Sequence, residues 1–239
     1  MSLRLAAALA AVMLLPFLTG AAKHEHEPPV VMAPGWGALE FVAPEPGSYV
    51  LPALWRAGEG RVLDESGKPV ELAGLLGEKV VLMSFIYTSC SDANGCPLAT
   101  HVLAGVQKAV LEDPALKQRV RLISISFDRA HDTPSVMADY ASKFRARGAD
   151  WPFLTTATDR DLKDLLDRYD QWTVLDYDAD GRFRGTISHV LRVYLIDTER
   201  LVRNIYSVSF LHRDTVLNDI RSIISNEPVL GSESRSGTD

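Results

Sequence analysis

The run Val80 to Tyr87 (VVLMSFIY) carries no charge and opens on β-branched residues. A segment of that length and character fits a strand buried on both faces. Such a strand needs a covering layer on each side, and the flanking sequence supplies candidates. Pro97 to Leu111 repeats Leu98, Val102, Val106 and Val110 at four-residue steps, with Pro97 suited to a helical first turn. Val120 to Phe127 (VRLISISF) alternates as a strand. Asp132 or Thr133 then caps a helix with Pro134 at its first position and Val136, Tyr140 and Phe144 along one face. Trp151 to Thr155 reads as a short strand. Thr158 opens a helix through Tyr169 with Leu162, Leu165 and Leu166 inward.

Hairpins bracket this alternation. Val62–Asp64 and Val70–Leu72 flank a Gly67-containing turn, and Val190–Ile196 and Leu201–Ser207 flank Asp197–Arg200. An amphipathic helix, Arg213 to Ile224, closes the body. Strands alternating with helices and ending antiparallel predict an α/β fold: a mixed central sheet flanked by helices, with an extra N-terminal β-hairpin.

The two cysteines, Cys90 and Cys96, fall between the first buried strand and its helix. That end of an open α/β sheet is where ligands and reactive groups gather. Cys96 stands at the helix start, where unpaired N–H groups favour a thiolate. Two thiolates within reach suit a soft cation such as Cu(I), and equally a reversible disulfide; a plain disulfide staple uses the same spacing. Among the histidines, His189 is the candidate third ligand, because it precedes a strand expected beside the cysteines. His101 lies about one helical turn past Cys96 and reads as solvent-facing. His131 reads as a loop polar group and His212 as a surface or capping group.

Arg4 followed by the apolar stretch Leu5–Leu18 and Gly20-Ala21-Ala22 reads as an export signal over residues 1–22. The stretch is 14 residues, short of the roughly 20 of a spanning helix. The rival is an uncleaved anchor over residues 5–18. Either reading puts the body outside the cytoplasm, in the periplasm, where a cysteine pair can be oxidised. Residues 23–59 carry six prolines and read as an extended linker that drapes over the domain or ties it to the membrane. The folded domain is expected over 60–227, with a polar, disordered tail over 228–239. Cleavage after Ala21 would make His24 the third residue of the mature chain, a Cu(II)-binding arrangement; the plainer reading of His24 and His26 is a solvated linker. Net charge −6 and the lack of a basic run argue against nucleic acid, and a monomer is expected.

The combination YTSC, CP, SFDRAHDTP, WPFLT and SHVLRVYLID resembles the SCO/SenC family of thioredoxin-like copper-delivery proteins, from about Arg61 to Ile224. The resemblance implies a thioredoxin-like fold and a copper site made of Cys90, Cys96 and His189, carrying Cu(I), Cu(II) or both. It implies a copper-receiving partner, the oxidase subunit whose dinuclear copper centre such proteins help build or another cuproenzyme, and membrane proximity. Related members also reduce the thiols of that centre. The chain departs from the family at two points. Five residues separate the cysteines where three are usual, and Ser188 stands where the residue before the histidine is often Asp.

The enzyme alternative is a thiol–disulfide oxidoreductase using Cys90 and Cys96 as its redox pair. Thioredoxin-type exchangers place two residues between their cysteines and a proline before the facing strand. No proline lies between Pro152 and Pro228. A peroxidase would share Thr88-x-Cys90 but needs an upstream proline that is also missing.

Overall fold

The structure is a computed structural model that describes residues 30–226. The segment read as an export signal, His24, His26 and the tail over 228–239 lie outside the described residues. The chain divides into two units, residues 1–31 and 32–239. Of the first, only Val30 and Val31 are described, and both are exposed.

The second unit is built on a six-stranded mixed sheet. Its centre is β4 (Val80–Ile86), buried at all seven positions. β4 runs parallel to β5 (Val120–Ser126), pairing Val80 with Val120 through Ile86 with Ser126. β5 pairs parallel with the short β6 (Phe153–Leu154). On its other side β4 pairs antiparallel with β9 (Val193–Ile196), then β10 (Leu201–Tyr206), then the edge strand β1 (Trp55–Arg56). The predicted N-terminal hairpin forms a separate ribbon, β2 (Arg61–Leu63) with β3 (Pro69–Glu71). This mixed sheet flanked by helices is the thioredoxin-like architecture.

Among the described residues, five α-helices accompany the sheet: α1 (Cys96–Glu112), α2 (Pro114–Arg119), α3 (Pro134–Phe144), α4 (Asp159–Arg168) and α5 (Arg213–Asn226). α1 carries the crossover from β4 to β5 and packs against α5. Thr133 caps α3 and Thr158 caps α4, each accepting a backbone N–H from the first turn. On α3 the deepest residues are Met137 and Ala141, with Tyr140 and Phe144 only partly buried. The inward stripe is therefore rotated from the Val136–Tyr140–Phe144 face expected from spacing. β5 reads as alternating but is covered on both faces. Its serines remain inside because they are bonded: Ser124 Oγ lies 3.1 Å from Ser84 Oγ and accepts the Trp151 Nε1–H at 3.1 Å. Fully burying side chains such as Phe85 and Tyr194 contributes about 1.5–3 kcal/mol each.

Two features depart from the sequence reading. β9 begins at Val193, not Val190. Residues 170–189, read as connection, contain an antiparallel hairpin, β7 (Thr173–Tyr177) with β8 (Phe183–His189). The lead is extended, but from Met32 it belongs to the same unit as the body. Tyr49 donates to Asp219 Oδ1 at 2.5 Å, Leu54 N–H donates to Val202 O at 2.8 Å, and β1 joins the sheet edge.

Candidate metal centre

Three elements meet at the carboxyl end of β4. The strand ends at Ile86, and Tyr87–Ser89 lead into a turn in which Cys90 N–H donates to Tyr87 O at 3.3 Å. Cys90 is half-buried. The loop Ser91–Gly95 then returns the chain to α1, whose first residue is Cys96, 1% exposed. Tyr87 N–H donates to Cys96 Sγ at 3.4 Å. β8 brings in the third residue: His189 ends that strand, and its Nε2 lies 3.7 Å from Cys96 Sγ. The sequence placed His189 in a loop before a strand; it is the last residue of a strand the sequence reading missed.

The imidazole is held on three sides. Its Nδ1 lies 2.9 Å from Ile187 O, so Nδ1 carries the hydrogen and Nε2 keeps its lone pair toward Cys96. Phe127 packs against the ring at 4.8 Å between centroids, and Tyr87 meets it edge-on at 5.7 Å. A backbone carbonyl thus orients the ring where a neighbouring carboxylate was expected to be missing. Ser188 points elsewhere, donating to Asp176 Oδ1 at 2.8 Å.

The two thiols are free. Their acidities split. The hydrogen bond from the Cys96 thiol brings the Cys90 thiol down to about 5, against the opposing effect of partial burial; backbone N–H groups of Cys96 and Asp92 and the Tyr87 hydroxyl add to the lowering. Burial, and then the adjoining Cys90 charge, push the Cys96 thiol up. The helix start was expected to make Cys96 the thiolate. The shift runs the other way, lowered at Cys90 and raised at Cys96, because desolvation at a position 1% exposed opposes the helix end.

Asp132 braces the same strand end from below. Fully buried, it accepts the Thr88 N–H at 3.0 Å, the Thr88 hydroxyl and the Ser126 hydroxyl at 2.6 Å, and pairs with His131 Nδ1 at 2.9 Å. His131, exposed, is held to Asp132 rather than to the cysteines. His101 is exposed and stacks on Trp36 at 4.4 Å. His212 is buried, not a surface group: its Nε2 lies 3.2 Å from Gly37 O and its Nδ1 accepts the Asp214 N–H at 3.1 Å, which caps α5.

The donor set is two sulfurs and an imidazole nitrogen, the soft combination that suits Cu(I). Two ligands on one ion at metal–sulfur and metal–nitrogen lengths of about 2.3 and 2.0–2.1 Å would stand roughly 3.5–3.8 Å apart at tetrahedral to trigonal angles. The Cys96–His189 separation falls in that interval. Among the described residues no three His, Cys, Asp or Glu form a closed cluster. Cys96 and His189 are in contact, and Cys90 lies on the loop between β4 and α1.

Comparison with known proteins follows the same outline. The family model SCO1/SenC matches residues 57–225. The SCO1 protein homolog of Bacillus subtilis (strain 168) is 25% identical over 160 residues, 66% of this chain and 78% of the relative. Arabidopsis thaliana ScoI, solved with copper bound, superposes with a TM-score of 0.56 at 24% identity, over 69% of this chain and 98% of its own. BsSco, described as a member of the Sco family of cytochrome c oxidase assembly proteins with a disulfide switch, gives 0.57 at 22% identity, over 74% and 99%.

Proposed function

We propose that this chain, which belongs to the SCO1/SenC family, is an exported copper carrier that holds its cargo through Cys90, Cys96 and His189. The carrying observation is the His189 Nε2 lone pair, oriented by the Ile187 carbonyl and set 3.7 Å from Cys96 Sγ beside a second thiol. An imidazole fixed in that tautomer is arranged to bind a cation, not to shuttle a proton through Nδ1. Arabidopsis ScoI carries copper on a similar fold, which supports the choice of metal. BsSco's description as an oxidase assembly protein supports a cuproenzyme client, the copper centre of cytochrome c oxidase or a related one.

Each ligand has its own part. Cys96 and His189 stand on regular elements and stay in place. Cys90 is half-exposed, ionised and on a loop, so it is the ligand through which cargo enters and leaves by exchange with a partner's donors. No helix among the described residues is long and apolar enough to cross a membrane. The apolar stretch over residues 5–18 remains the proposed signal or tether.

The test is copper stoichiometry and visible absorption on the reduced protein, beside Cys90→Ser/Cys96→Ser and His189→Ala. One copper per chain is expected, absent from the double variant. His189→Ala should weaken Cu(I) binding and remove most of the thiolate-to-Cu(II) band. Full retention of that band would sink the three-ligand site.

A second reading has its own support: the split acidity gives one nucleophilic thiolate beside one protonated thiol, the arrangement for thiol–disulfide exchange. A wild-type protein that takes no copper but turns over a model disulfide would establish it in place of the carrier.

A further inference from the structure

The five residues between the cysteines are not a free loop. Asp92 closes it internally: its Oδ1 accepts the Asn94 N–H at 3.0 Å and its carbonyl accepts the Gly95 N–H at 2.9 Å. A Cβ on Gly95 would stand 3.3 Å from Cys90 Sγ, so the absence of a side chain there leaves room for the sulfur. The two remaining handles, at Ala93 and Asn94, are taken by a distant part of the chain. Ala33 N–H donates to Asn94 Oδ1 at 2.8 Å, and Trp36 Nε1–H donates to Ala93 O at 3.2 Å.

The donating segment is itself anchored. Trp36 stacks on His101 of α1. Gly35 is buried so closely that a Cβ would sit 2.2 Å from Leu211 O and 3.0 Å from Leu98 Cδ1. Gly37 O meets the buried His212 at 3.2 Å. Residues 33–37 therefore form a strap fixed to α1 and to the turn before α5, with its two free donors aimed at the cysteine loop.

We propose that this strap is part of the metal centre: Trp36 and Asn94 are positioning residues that hold the Ser91–Gly95 loop so that Cys90 stays against Cys96. They touch no ligand atom and act through the loop backbone. The inference rests on the two-cysteine site proposed above and extends it to residues some 60 positions earlier in sequence. The physical effect is on the loop's freedom. A strapped loop presents Cys90 at a fixed approach, and an unstrapped one must first be ordered before both sulfurs can share a cation or a bond.

The experiment uses the full chain and its variants Asn94→Ala and Trp36→Phe. The latter keeps an aromatic ring for His101 and removes the Nε1–H donor together with part of the indole. Tyr49→Phe is the control, because it cuts the lead's anchor on Asp219 without touching the strap or loop. Three quantities are read: Cu(I) affinity against a chromophoric chelator, thermal stability, and the equilibrium with glutathione disulfide. In that last reaction the two protein thiols lose two hydrogens and two electrons to form one disulfide, while glutathione disulfide is reduced to two glutathiones.

Asn94→Ala and Trp36→Phe should each weaken Cu(I) binding about tenfold, the scale of one net hydrogen bond. Each should also shift the thiol–disulfide equilibrium constant several-fold. Tyr49→Phe should lower stability while leaving both constants unchanged. Unchanged constants in both strap variants would overturn the proposal, as would shifts in Tyr49→Phe equal to theirs. A wild-type chain that binds no copper would defeat the carrier reading alone, since the glutathione equilibrium still reports on the strap.

Discussion

Replacing Asp132 tests how the end of β4 is held. Its carboxylate is fully buried and has four partners: Thr88 N–H, Thr88 hydroxyl, Ser126 hydroxyl and His131 Nδ1. Asp132→Ala strands the Thr88 N–H and the Ser126 hydroxyl. Each such donor costs about 1–3 kcal/mol, and the small void adds to that, so a total of about 3–5 kcal/mol is expected. The Thr88 hydroxyl can rotate and the exposed His131 can turn to water, so neither adds a full penalty. Asp132→Asn keeps one acceptor oxygen for the Thr88 N–H and the Ser126 hydroxyl, and its amide faces two groups that can both accept; about 1–2 kcal/mol is expected. At roughly 2–4 °C per kcal/mol for a domain of this size, the Ala variant should melt about 10 °C lower. Urea unfolding should show a fall in midpoint at constant slope. The pH dependence has a definite sign. The hydrogen bond to Asp132 raises the His131 pKa, so its share of stability is complete below the ordinary histidine value and is lost as pH rises through the raised one. The gap between wild type and Asp132→Ala should therefore be wider at pH 6 than at pH 9. A cost below about 1 kcal/mol for Ala, or an equal cost for Asn and Ala, would refute this account.

In the metal-free, reduced protein, Cys90 should be alkylated by iodoacetamide at a rate nearly flat from pH 6 to 8, because its thiol is already ionised above about 5. Cys96 should lag throughout, and Cys96→Ala should move the Cys90 profile to higher pH by removing its donor; parallel alkylation of both cysteines in the wild type would contradict the split acidity. Asp150 accepts both contacts of Arg121 Nε at 3.0 Å and Lys79 Nζ at 2.8 Å. Burial alone would raise its pKa, but these cations hold it below the ordinary 3.8. Its stabilisation is therefore present above that value and lost as pH falls through the lowered one. Asp150→Asn should cost about 1–2 kcal/mol at pH 7, a cost that shrinks as pH falls below 3.8, measured by urea titration; a cost that does not shrink with acid would assign the effect to packing.

What the sequence makes legible are the elements whose burial is one-dimensional. β4, β5, α1 and α4 follow from apolar runs, caps and four-residue spacing: the two strands are buried almost throughout, and each helix turns an apolar face inward. The β7–β8 hairpin was missed for the opposite reason. It leaves Val174, Leu175, Tyr177 and Phe183 about half-exposed, and its register shifts between Leu175 and Tyr177, so no clean alternation survives. A turn signal was present in Asp178-Ala-Asp-Gly181, with Gly181 at φ +76°, and would have located it. Missing that hairpin placed His189 in a loop, although its nearness to Cys96 was still anticipated.

The site shows a second limit, which concerns energies rather than geometry. A cysteine at a helix start carries a local sequence argument for ionisation, and Cys96 satisfies it: it is the first residue of α1. The opposing effect is burial under distant chain, which no local pattern encodes. Cys96 is buried in the core, and its sulfur faces the Tyr87 N–H, Cys90 and His189. A buried thiol with one ionised sulfur already beside it keeps its proton, and donating that proton is what stabilises the charge on Cys90. The helix start and the loop thus act on opposite members of the pair. The lowered pKa belongs to the more exposed sulfur, and the sulfur that keeps its proton stands beside the imidazole.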